Sequence, residues 1–116
     1  MEIYYSEVDQ EVLIVRADGG LNAQNAGDFV NKIAALIDTG LTRIIVDCSK
    51  LDHITSAGMG TLMRLHTKMA QKGGNVKIAC VKSMILKVLQ LTRLDTVLEV
   101  YPDVNRARLA FRPKNA

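Results

Sequence analysis

The feature that most constrains this chain is the alternation of short, nearly continuous apolar runs with longer stretches whose apolar residues recur every three or four positions. Arg43 to Cys48, centred on Ile44-Ile45-Val46, and Val76 to Cys80 are too uniformly apolar for strands with one wet face, so they read as strands covered on both sides. Between them a helix is predicted to start at Ser56, with Met59, Leu62, Met63, His66, Met69 and Ala70 on a stripe and Gly73-Gly74 as its stop. Upstream, Ala26, Phe29, Val30, Ile33, Ala34 and Ile37 mark an amphipathic helix that Asn22 can cap and Gly40 ends.

The remaining elements fit around that alternation. Ile3 to Glu7 and Val12 to Arg16 flank a polar turn at Asp9-Gln10, an antiparallel hairpin. Ser83 is positioned to cap a third helix through Leu91, followed by a short strand at Val97 to Tyr101 and a last helix from about Asp103. Strands alternating with helices require right-handed crossovers and parallel pairing. The expected fold is therefore α/β, a mixed, mostly parallel sheet with an N-terminal β-hairpin and about four helices. With no repeat or linker, 116 residues make one domain, residues 1–116.

Composition narrows the function. No stretch approaches the roughly 20 apolar residues of a membrane span, and the N-terminal residues form no secretory signal, so a cytoplasmic protein without membrane contact is expected. A net charge of +3 with 4% aromatic residues is no basis for direct nucleic-acid binding. The one basic cluster, Arg106, Arg108, Arg112 and Lys114, reads as a solvated end. Cys48 and Cys80 form no CxxC pair and read as buried free thiols, while His53 and His66 make no metal-ligand pattern with them. Neither a metal nor another cofactor is expected.

Catalysis has as little support. Ile54 stands where a Gly-x-Ser-x-Gly elbow would need its first glycine, and Gly58-Met59-Gly60 stops short of a dinucleotide fingerprint. No acid, base and nucleophile converge in the sequence, so no catalytic residue is assigned and the chain is not read as an enzyme. Leu65 falls off the main stripe of its helix, and Met84-Ile85-Leu86 cannot all face one sheet, so both places offer an apolar side chain to a partner.

The informative segment joins a buried strand to the second helix and ends in Thr55-Ser56-Ala57-Gly58-Met59-Gly60. Ser56 stands where a side-chain oxygen caps a helix, a role that needs no function. Gly58 and Gly60 each cost roughly 1 kcal/mol in a first helical turn, so close approach is their reason: a tight contact within the domain, or a bare helix start open to another protein. A phosphate on Ser56 would lie at the positive end of the helix dipole.

This segment resembles the phosphorylation loop of the STAS-domain family, in particular the bacterial anti-sigma-factor antagonists, in which a serine is followed by a small residue and then Gly-apolar-Gly. The likeness continues in Gly19-Gly20-Leu21-Asn22 followed by Ala26, in Gly73-Gly74 before a strand, and in Leu89-Gln90-Leu91-Thr92-Arg93-Leu94-Asp95, covering about residues 5 to 110. The resemblance implies a STAS-like fold and a partner-switching cycle. The unphosphorylated antagonist binds an anti-sigma factor that is also a serine kinase, which frees a sigma factor. Phosphorylation breaks the complex, and a serine phosphatase resets it. By this likeness Ser56 is the acceptor, and Asn22, Thr55, Ser56, Ala57, Gly58, Met59 and Gly60 form the partner-binding set of a monomer or weak dimer.

Where the antagonists carry aspartates before the first helix and before the serine, this chain has the neutral Asn22 and Thr55. The Thr55-Ser56 pair also resembles the STAS domains of stress-signalling scaffolds, in which a threonine can be modified. The alternatives are therefore a scaffold subunit, or a small-ligand α/β module using a pocket near Asn22, Asp47 and Ser56.

Overall fold

The computed structural model describes residues 2–9, 12–37, 40 and 42–111. Strand β1 (Glu2–Asp9) pairs antiparallel with β2 (Val12–Leu21), the expected hairpin, whose turn at Gln10 lies outside the described residues. Helix α1 (Ala26–Ile37), β3 (Arg43–Asp47), β4 (Leu51–Ile54), α2 (Ser56–Gln71), β5 (Asn75–Ala79), α3 (Ser83–Leu91), β6 (Glu99–Tyr101) and α4 (Val104–Ala110) follow, with a single 3-10 turn at Leu94–Thr96 before β6. The sheet order is β1-β2-β3-β5-β6, parallel except at the hairpin, and β4 pairs parallel with the end of β2.

The period-2 alternation of the strands sorts the core into two layers. Leu13, Val15, Ile44, Val46, Val76 and Ile78 point to one face, where Phe29 and Ile33 of α1, Leu62, Leu65 and Met69 of α2, and Ile85 and Leu89 of α3 cover them. Val12, Ile14, Ile45 and Ala79 point to the other face and meet Ala107 of α4. Helices on both faces explain why β3 and β5 read as continuous apolar runs. No helix among the described residues is long and apolar enough to cross a membrane.

Several local expectations are corrected. The segment after β3 holds β4, whose pattern Leu51-Asp52-His53-Ile54 has too few apolar residues to announce a strand; a backbone ladder to Gly19, Gly20 and Leu21 creates it. Asn22 caps a leading turn, its Oδ1 accepting from Gln24 N–H at 2.9 Å, and the regular helix begins only at Ala26. Ser83 is the first residue of α3 and not its cap; Lys82 holds the cap position without a side-chain bond.

Leu65 is fully buried and Ala70 exposed, so the core-facing stripe of α2 is rotated from the predicted one and Leu65 is not a contact residue. Of Met84-Ile85-Leu86, Ile85 is buried and Met84 exposed. Cys48 is buried as expected, but Cys80 is only partly so. Arg108 is half-buried and Arg106 exposed, while Arg112 and Lys114 lie outside the described residues.

Candidate functional site

The C-terminal ends of β2 and β4 lie side by side, with Leu21 opposite Ile54, so the residues that follow them, Asn22 and Thr55, become neighbours. Thr55 N–H donates to the Leu21 carbonyl at 3.0 Å, which ties the start of α2 to the end of β2. Its side chain is the cap of α2. Thr55 Oγ1 accepts from Gly58 N–H at 3.3 Å and donates to the Leu21 carbonyl at 3.5 Å. Threonine suits this place because the residue is extended, with φ −99° and ψ 173°, and its β-branched side chain favours that backbone.

The cap on Thr55 corrects the expectation that Ser56 would supply it. Ser56 is instead the first helical residue, exposed, and its hydroxyl takes no part in capping. No acidic residue stands in the first turn of α2, so the positive end of the helix dipole is left uncompensated by the helix itself. Ala57 is half-buried, and its carbonyl accepts from Thr61 Oγ1 at 3.0 Å. Met59 is half-buried on the side of α3, where Thr92 Oγ1 lies 3.8 Å from its sulfur.

The two glycines separate by cause. Gly58 is buried with its α-carbon pressed against the Leu21 carbonyl and the Ile54 side chain, and a methyl group there would overlap both. Gly60 meets nothing of the kind: an added methyl would find only Arg64 Nη1, at 3.9 Å. Packing therefore accounts for Gly58 and leaves Gly60 as a bare patch of helix surface one turn after Ser56.

Asp47 does not join this group. It follows Ile45 by two residues and shares its face of β3, toward the α4 layer, and its carboxylate accepts from Ser49 N–H at 3.0 Å. His53 is exposed and lays its imidazole ring over Gly20, where a side chain would have to push the ring aside. His66 sits mid-helix, with Nδ1 buried and unbonded among the described residues. Among those residues no three His, Cys, Asp or Glu side chains are grouped to hold a metal. Two concave places among the described residues, beside Met63 and beside Val81, are lined by other residues than Asn22, Asp47 and Ser56.

Charges around the site were not legible in the sequence. Asp52 of β4 pairs with Lys82 at the start of α3, at 2.5 Å, and Lys82 holds the Asp52 carboxyl below its ordinary range. The exposed Arg64 carries its Nη2 to Thr61 Oγ1 at 3.2 Å. Four-residue spacing along α2 puts Arg64 on the same side of the helix as Ser56 and Gly60.

The comparisons agree with this geometry. The model of the STAS domain matches residues 5–107. The chain is 25% identical over 112 residues to BtrV of Bordetella bronchiseptica, a protein named as an anti-sigma factor antagonist, with 97% of this chain and 96% of that one covered. A crystal structure of a Thermotoga maritima protein described in the same way superposes with a TM-score of 0.89 at 22% identity, covering 96% and 95% of the two chains. SpoIIAA of Bacillus superposes in its phosphorylated form with a TM-score of 0.72 at 20% identity, over 96% of this chain and 100% of that one. A match that spans nearly the whole described chain, on a fold of this topology, identifies it: the protein belongs to the STAS-domain family.

Proposed function

We propose that this chain is an anti-sigma-factor antagonist that works by partner switching. Unphosphorylated, the single STAS module binds an anti-sigma factor that is also a serine kinase and so releases a sigma factor; phosphorylation at Ser56 ends the complex, and a serine phosphatase restores it. The chain itself performs no catalysis in this cycle. It acts in the cytoplasm as a monomer or weak dimer.

The observation that carries this reading is the division of labour at the start of α2. Thr55 performs the capping, so the neighbouring Ser56 hydroxyl is exposed and free for modification. A phosphate there adds about −1.5 to −2 charges to a surface a partner has dehydrated, and desolvating them without a counter-charge opposes binding. Its oxygens would at the same time be tolerated by the uncapped N–H groups of the helix start. The relatives named as antagonists and the phosphorylated SpoIIAA support the same role. Thr55 as acceptor is disfavoured because its hydroxyl would have to give up the cap.

The test is incubation of the chain with each serine kinase of the host and ATP, followed by mass spectrometry of the peptide carrying Thr55 and Ser56. Modification at Ser56, with binding to that kinase kept by Ser56→Ala and lost by Ser56→Asp, is the expected result. Equal binding by the two variants overturns the switch.

A further inference from the structure

A groove of about 480 Å³ runs between α1 and α2, lined by Val30 of α1 and by Met63, Arg64, Thr67, Lys68 and Gln71 of α2. Successive helical neighbours three and four residues apart continue this wall backwards from Thr67 through Met63 and Arg64 to Gly60, and from Gly60 to Ser56. The groove therefore lies on the same side of α2 as Gly60 and the serine of the proposed switch, about two turns beyond that serine. Val30 and Met63 are half-buried and give it an apolar floor. Arg64 and Lys68 stand along its rim, and among the described residues neither has a carboxylate partner. Asp28, the acidic residue in the first turn of α1, is already paired with Lys32 at 3.2 Å.

We propose that this groove receives an acidic, amphipathic segment of the same partner that covers Ser56, its apolar residues against Val30 and Met63 and its carboxylates against Arg64 and Lys68. The inference rests on the partner-switching reading and adds a second contact to it. Two observations choose this occupant. The rim is cationic and, among the described residues, has no carboxylate partner, which calls for carboxylates. The groove is shallow and open, which suits a segment laid along the helices better than an enclosed small molecule. Gly60, the glycine that internal packing does not require, then has its cause: a side chain there would stand where the segment passes from Ser56 into the groove.

The experiment measures binding of the full-length chain to the host anti-sigma kinase that passes the Ser56 test, by titration calorimetry at low and high salt. The Arg64→Glu/Lys68→Glu variant is expected to bind at least tenfold more weakly and with a shallower salt dependence. Arg64→Gln/Lys68→Gln should fall in between, and Lys87→Glu on α3, outside the groove, should stay within about twofold of wild type. Proton–nitrogen correlation spectra of the variants establish that they are folded. Wild-type-like binding by the Glu and Gln pairs, while Ser56→Asp abolishes it, overturns the groove and leaves the switch standing. Wild-type-like binding by Ser56→Asp overturns the switch and the groove proposal with it.

Discussion

Lys77 Nζ lies 2.9 Å from Glu99 Oε1, and the lysine side chain is only 4% exposed while that of its partner is 44% exposed. The ammonium also sits 4.5 Å from the centre of the Phe111 ring and 5.5 Å from that of Tyr101, so rings and one carboxylate share the work of holding a cation between β5, β6 and the end of α4. Period-2 alternation sends Lys77 to the α4 face, between two residues, Val76 and Ile78, that point the other way. Glu99 accepts further from Asn75 Nδ2 at 2.5 Å and from the Tyr101 hydroxyl at 2.8 Å.

Stability should depend on acid through Glu99. Desolvation alone would raise its pKa, but the bonds from Lys77, Asn75 and Tyr101 prevail and hold it at about 2 against an ordinary 4.5. A carboxylate depressed in the folded state contributes stability above its unfolded pKa and loses it as pH falls toward the folded one. Stability measured by urea unfolding from pH 7 to pH 2 should therefore fall between about 4.5 and 2 in the wild type, and less steeply in Glu99→Gln. At neutral pH the half-exposed position limits the cost of Glu99→Gln to about 1–2 kcal/mol, and Lys77→Met, which takes away the cation that Glu99 and the two rings hold, should also destabilise.

Ala substitutions at the two glycines should have opposite signs. Gly58→Ala drives a methyl group into the Leu21 carbonyl and should lose about 1–3 kcal/mol by denaturant unfolding. Gly60→Ala meets open space and should gain about 0.5–1 kcal/mol.

Capping separates Thr55 from its neighbour in the same assay. Thr55→Ala removes the bond to Gly58 N–H and should cost about 1 kcal/mol. Ser56→Ala should stay within about 0.5 kcal/mol, and Ser56→Asp should gain about 0.3–1 kcal/mol from a negative charge at the helix start. Loss of partner binding by Ser56→Asp would then be a surface effect, since the fold is no weaker.

The thiols should be sluggish and unequal toward Ellman's reagent at pH 8. Burial pushes the Cys48 thiol up to about 12, with Asp47 and Cys80 adding smaller repulsions, and desolvation followed by Asp47 raises Cys80 as well. Cys80, only partly buried, should react slowly in the native state, and Cys48 only on unfolding. Mass-resolved labelling with iodoacetamide checks the order.

The amino-acid sequence by itself determined the order of most elements and their layering. Ile44-Ile45-Val46 and Val76 to Cys80 announced covered strands because apolar burial on both faces leaves a pattern in the chain, and the spacing from Ala26 to Ile37 announced a helix for the same reason. It also placed Ser56 at the start of the second helix, where the resemblance to a phosphorylation loop pointed. Tertiary structure decided the rest, because those relations are made across the chain. β4 exists by its ladder to Gly19–Leu21, Thr55 caps because Leu21 fixes its backbone, and the rotation of α2 buried Leu65 while turning Arg64 outward with Gly60. Local periodicity records which residues avoid water; it does not record which strand end a helix start is pressed against, and that contact separates the buried glycine from the bare one.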